Sequence, residues 1–157
     1  MSLLPSELLC YCRPGFERDL AAELTDKAGR AGWSGTLLHE PGAGFVRFRL
    51  PEGEGANALH RALPLRDLVF ARQSLVALPP LTLDREDRLG PIVEQVVASG
   101  WSFESLWQET PDTNDGKALS GLAKALARPL ESLLRKRGAL RRKAGGRRLH
   151  LLWSAGD

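Results

Sequence analysis

ELLCYCRPGFERDLAAELTDKAGR, residues 7 to 30, decides how the chain begins to fold. Glu7 to Cys12 is a short, largely apolar run closed by the turn residues Arg13, Pro14 and Gly15, so it reads as a buried strand. From Phe16 the spacing changes. Phe16, Leu20, Ala21, Leu24 and Ala28 recur at helical intervals, with Glu17, Asp19 and Glu23 early and Arg30 late, the order a helix dipole favours. Gly29 and Gly32 stop that helix.

Outward from this strand and helix, Thr36 to His39 and Phe45 to Leu50 read as a hairpin around Pro41-Gly42-Ala43-Gly44. Phe45, Arg47 and Arg49 there alternate with Val46, Phe48 and Leu50. Ala56 to Leu63 is a short helix closed by Pro64, and Leu68 to Leu78 is a final strand. The order βαββαβ is that of a ferredoxin-like split βαβ domain, assigned to residues 1–78. Pro79-Pro80 cannot sit inside a regular element and opens a linker, residues 79–84.

A second unit, residues 85–157, follows, and the whole is of the α+β class. Pro91 to Ser99 is predicted helical, with Gly100 as its stop. Trp101 to Gln108 is predicted as a strand with Trp101, Phe103 and Trp107 on one face. Asp112, Thr113, Asn114 and Asp115 supply candidate caps for a helix starting near Lys117. At ~100° per residue, Leu119, Leu122, Leu126, Leu130 and Leu133 share one side, and Lys117, Lys124, Arg128 and Arg135 form a narrow stripe opposite. Pro129 is expected to kink or split this helix. A strand from Arg148 to Trp153 closes the pattern after a basic, glycine-containing loop over residues 138–147.

Of 157 residues 43% are hydrophobic and 26% charged, a composition that builds a packed core and argues against disorder. The net charge of +3 hides an asymmetry: an acidic middle is followed, between Arg128 and Arg148, by nine basic residues against Glu131 alone. Seven of the nine are arginine, which clamps phosphate with two parallel hydrogen bonds. Such a segment faces either a polyanion or plain solvent. With no basic leader and no apolar run of the ~18–20 residues that span a bilayer, the expectation is a cytoplasmic protein without a membrane partner.

Catalytic chemistry is hard to find. Cys10 and Cys12 read as buried structural thiols, and His39, His60 and His150 follow no metal-ligand spacing, so no metal is expected. Gly53-Glu54-Gly55-Ala56-Asn57-Ala58 imitates a dinucleotide-binding turn, but Glu52 and Glu54 would repel a pyrophosphate and no parallel βαβ unit surrounds it. No Ser/His/Asp set or tuned carboxylate pair is readable. The four tryptophans could stack on bases, although aromatic residues alternating in strands more often fill a core.

Four segments resemble a known family: CRPGFERDLAAELTDKAGRAG (12–32), LPLRDLVFARQ (63–73), EDRLGPIV (86–93) and DTNDGKALSGLAKALARPLESLLRKRGAL (112–140). They are similar, in order, to the N-terminal half of the ribosomal RNA large subunit methyltransferase M family. That family moves a methyl group from S-adenosylmethionine to a cytidine ribose 2′-hydroxyl of 23S rRNA. The resemblance implies a ferredoxin-like domain, then a THUMP RNA-binding domain that in the family runs on past residue 157. A methyltransferase domain holding the cofactor loop and catalytic residues would follow, outside these residues. The expectations are no catalytic residue and no cofactor in this chain, inactivity of the chain alone, and two partners: 23S rRNA and its own C-terminal domain. Residues expected at RNA are Arg72, Asn114, Lys117, Lys124, Arg128, Arg135, Arg141, Arg142 and Lys143, with capping an equal role for Asn114. The loop 141–148 departs from the family. The alternative from another class is an interaction module whose basic surface docks an acidic partner or the methyltransferase domain.

Overall fold

The opening strand, β1 (Glu7–Cys12), lies at the centre of a four-stranded antiparallel sheet in the computed structural model, which describes residues 5–111, 114–142 and 146–154. The other strands are β2 (Thr36–His39), β3 (Phe45–Arg49) and β4 (Ala71–Ala77), in the order β2-β3-β1-β4. With α1 (Glu17–Arg30) and α2 (Ala56–Ala62) this is the ferredoxin-like βαββαβ arrangement expected. Alternation along β1 sends Leu8, Cys10 and Cys12 to one face, where they pack with Leu20, Leu24, Ala28, Val46, Phe48 and Leu59. Burying each of the larger side chains stabilises the unit by ~1.5–3 kcal/mol. Both thiols are free, and burial pushes each pKa up to about 11.

Two buried or half-buried carboxylates, Glu17 and Glu23, tie the first helix to turns elsewhere in the unit. Glu17 is only 2% exposed, and it accepts the backbone N–H groups of Gly15 at 3.0 Å, Gly42 at 2.8 Å and Gly44 at 3.0 Å. Gly42 and Gly44 have φ of 78° and 83°, a conformation other residues rarely adopt, so the 41–44 turn can aim both donors at one carboxylate. Burial opposes Glu17's charge, but these donors outweigh it and hold the pKa below the usual carboxylate range. Glu23, one helical face further on, accepts the N–H of Val69 at 2.7 Å and of Phe70 at 3.1 Å, and pairs with Lys27 at 2.8 Å.

Glu23 also corrects an expectation. The last strand begins at Ala71 rather than Leu68, because the Val69 and Phe70 donors are taken by a helix side chain instead of a neighbouring strand. Val69 is accordingly 77% exposed, and Leu65–Asp67 forms a 3₁₀ turn before it.

The chain divides between Pro79 and Pro80 into two compact units. The second contains α3 (Leu89–Ala98), β5 (Ser105–Glu109), α4 (Asn114–Lys136) and β6 (Arg148–Leu152). β5 and β6 pair in parallel, as a strand–helix–strand crossover requires. Leu106, Leu149 and Leu151 on the inner strand face pack with Ile92, Val93 and Val96 of α3 and with Ala123, Leu130 and Leu134 of α4. Trp153 is buried there, donating its indole N–H to Gln108 at 2.7 Å.

Here the structure departs from several sequence expectations. α3 starts two residues earlier, at Leu89, where the Asp87 carboxylate accepts the Gly90 N–H at 2.9 Å. α4 is one helix with Pro129 inside it, so it is not split. Leu134 rather than Leu133 fills the core, since Leu133 is 39% exposed and Leu134 fully buried. The buried arc of Ala123, Leu130 and Leu134 lies roughly 60° around the helix from the centre of the expected leucine face. β5 begins at Ser105, not Trp101. Phe103 pairs instead with residues 139–141, donating to the Ala139 carbonyl and accepting the Arg141 N–H, both at 2.8 Å. Nor do the aromatic residues share one environment: Phe103 is buried and Trp107 is 48% exposed.

Candidate nucleic-acid interface

Helical geometry carries the first part of the site. Lys117, Lys124, Arg128 and Arg135 are all exposed on the continuous α4, within ~40° of one another around the helix axis. The stripe is centred ~120° from the buried arc, so it faces away from the unit's core. Among the described residues no carboxylate pairs with any of the four. Asn114 is exposed as the first residue of α4, while Asp112 and Thr113, also expected as caps, lie outside the described residues. Just inside the helix, a Cβ on Gly116 would stand 1.9 Å from the Pro111 carbonyl oxygen, so only glycine lets the chain fold back closely ahead of Lys117.

The second part is the basic loop that leaves α4 and returns as β6. Phe103 holds its outgoing end, and Glu104 holds its return: the Glu104 N–H bonds the Arg147 carbonyl at 2.8 Å, and its carboxylate accepts the Gly146 N–H at 2.6 Å. Arg141 donates to the Ser102 hydroxyl at 3.0 Å, and Arg142 is exposed. Lys143 lies outside the described residues. Arg137 is exposed but bound to Glu94 at 2.5 Å, which lowers the carboxyl pKa and raises that of the guanidinium through their hydrogen bond and charge attraction.

Arg147 and Arg148, not among the residues expected at RNA, each sit over a tryptophan. The Arg147 guanidinium carbon is 4.8 Å from the Trp101 ring centre and that of Arg148 is 4.9 Å from Trp107. Cation–π contacts at such distances hold a planar cation against a ring face. His150, one of the histidines without metal-ligand spacing, lies beside Trp107 with ring centres 6.3 Å apart and planes 21° from parallel, and its Nδ1 meets the Glu109 carboxylate. The alternation of Arg148-Leu149-His150 against Ser105-Leu106-Trp107 was the available signal, since it puts the polar and aromatic members on one strand face.

Arg72 is exposed on β4, an edge strand of the first unit. The Gly53 to Ala58 turn leads into α2, a helix of only 7 residues, and all pairings of its sheet are antiparallel. It therefore lacks the parallel strand and long helix of a dinucleotide cradle. Among the described residues no group of three His, Cys, Asp or Glu side chains could hold a metal ion, and no helix is long and apolar enough to cross a membrane.

Comparison with known proteins matches residues 5–75 to the RlmM ferredoxin-like domain and residues 87–157 to the family described as ribosomal RNA large subunit methyltransferase M, N-terminal. The chain belongs to the N-terminal region of this family. A ribosomal RNA large subunit methyltransferase M from Chromohalobacter salexigens is 66% identical over 158 residues, covering 100% of this chain and 44% of the relative. That from Stenotrophomonas maltophilia strain K279a is 45% identical over 152 residues, 95% of this chain and 42% of the relative. A third, from Tolumonas auensis, is 42% identical over 155 residues, 97% of this chain and 42% of the relative. The chain thus spans less than half the length of these methyltransferase M relatives.

Proposed function

We propose that this chain recognises RNA on behalf of a cytoplasmic 23S rRNA cytidine ribose 2′-O-methyltransferase. In this reading the second unit is a THUMP-type RNA-binding domain, the first a ferredoxin-like scaffold, and neither performs chemistry. The observation that carries it is the stripe Lys117, Lys124, Arg128 and Arg135, four exposed cations along one side of a single helix. At ~1.5 Å rise per residue the four span ~27 Å of helix, enough to meet several phosphates of one backbone, and phosphate contacts orient RNA without reading its sequence. Preference for a folded shape with an accessible loop or end follows. The site residues proposed are Arg72, Asn114, Lys117, Lys124, Arg128, Arg135, Arg141, Arg142 and Lys143.

The Gly53 to Ala58 turn, which imitates a nucleotide loop, leads into a seven-residue helix beside an antiparallel sheet, surroundings unlike those of a dinucleotide cradle. Cofactor binding and methyl transfer are assigned to the part of the relatives' length that this chain does not span. The test is competition for the chain between a fluorescent 23S rRNA fragment and unlabelled RNA or duplex DNA of equal charge. RNA should compete at least ~10-fold better if shape and the 2′-hydroxyl matter. Equal competition by DNA would overturn the reading and favour a surface that docks an acidic protein.

A further inference from the structure

The outer face of the β5–β6 pair does not serve the core. Register places Ser105 beside Arg148, Trp107 beside His150 and Glu109 beside Leu152 on that face, while Leu106, Leu149 and Leu151 point inward. Trp107 stands at its centre, 48% exposed, and its orientation is fixed from several directions. Its indole N–H donates to the Ser105 hydroxyl at 3.1 Å, the Arg148 guanidinium lies over the ring, and the His150 ring is nearly parallel to it. Glu109, engaged by His150, is the acidic group on this face. Arg148 supplies the positive charge beside the ring, whereas Arg147, the residue before it, lies over Trp101.

An exposed tryptophan among hydrophobic neighbours would suit a protein partner. Trp107 instead has an arginine, a histidine, a serine and a glutamate around it, with Leu152 the only aliphatic residue on the face. A planar ligand with an anionic tail matches that setting: the ring offers a π face and Arg148 a phosphate clamp. The preset orientation lowers the ordering cost of binding.

We propose that the outer face of β5 and β6 is a nucleotide-stacking site, in which one unpaired base of the RNA lies against Trp107 and its phosphate meets Arg148. The site deepens the RNA-recognition reading and rests on it. It is separate from the α4 stripe, because α4 packs on the inner side of the same strands and its stripe faces solvent. RNA engaged by both would pass around the unit, with helix phosphates on the stripe and an unpaired base at the strands.

The test uses the full chain with a short unstructured RNA and with an abasic RNA of the same length, followed by fluorescence anisotropy across salt concentrations. Trp107→Ala should weaken binding of the base-bearing RNA by ~10-fold or more, leave the abasic RNA unaffected, and leave the salt slope unchanged because no charge is removed. Trp107→Phe, which keeps a ring, should retain affinity within ~3-fold, since stacking tolerates any aromatic face. Trp107→Ala binding both RNAs as the parent does, or losing both equally while folded by circular dichroism, would overturn the site yet leave the stripe reading intact. Absence of RNA binding by the parent chain would overturn both.

Discussion

The Glu17 carboxylate accepts the Gly42 N–H at 2.8 Å, joining the start of the first helix to a turn 25 residues later in the chain. The Gly15 and Gly44 N–H groups converge on the same side chain. Cys-Arg-Pro-Gly-Phe-Glu is thus an architectural string: the turn brings Gly15 to Glu17, and Glu17 gathers the hairpin. Glu17→Gln would aim an amide N–H₂ at groups that are all donors, and should destabilise the chain by ~2–3 kcal/mol in urea unfolding.

Acid sensitivity follows from the same carboxylate and from Glu23. Each has its pKa lowered in the folded chain, against opposing burial, by N–H donors and, for Glu23, by Lys27 as well. The unfolded value is ~4.3, so the folded state binds fewer protons on falling through that pH. Their stabilisation is fully present above ~4.3 and is lost as pH falls through the lower folded value. The urea midpoint of the parent should drop across that window, and its margin over Glu17→Gln should shrink with it.

Thiol chemistry should be silent in the folded state. Cys10 and Cys12 are buried with pKa raised to about 11, so iodoacetamide at pH 8 should modify neither, while urea should expose both. Modification of the native chain at the rate of a free thiol would contradict the packing of β1.

Glycine on α4 has two opposite roles. Ala at Gly116 would collide with the Pro111 carbonyl, whereas a Cβ at Gly121 meets nothing within 4 Å. Gly121→Ala should raise stability by ~0.5–1 kcal/mol, and Gly116→Ala should lower it by ~1–3 kcal/mol. Thermal melts of the two variants separate these outcomes.

What the sequence reveals depends on whether the deciding contact is local. β1, α1 and the hairpin are legible because alternation and helical spacing belong to neighbouring residues. The start of β4 is not, since Glu23 captures the Val69 and Phe70 donors from 46 and 47 positions away. Leu133 and Leu134 both fit an apolar side of α4, and only packing against α3 and the strands selects Leu134. For the candidate site, the α4 stripe is readable from spacing alone. Arg148, Trp107 and His150 meet through the parallel pairing of β5 with β6, a register set by a helix and a loop between them. No short window of sequence contains it.

The central claim is that the α4 stripe neutralises RNA phosphates, and the salt dependence of binding measures that directly. Affinity for a 23S rRNA fragment carrying an accessible loop would be followed from low to moderate salt, for the parent and for Lys117→Ala/Lys124→Ala/Arg128→Ala. The account predicts a steep log–log slope for the parent that flattens by ~2–3 units in the triple variant, because each lost cation frees about one phosphate. An unchanged slope in a folded triple variant would contradict it and place the RNA contacts elsewhere on the chain.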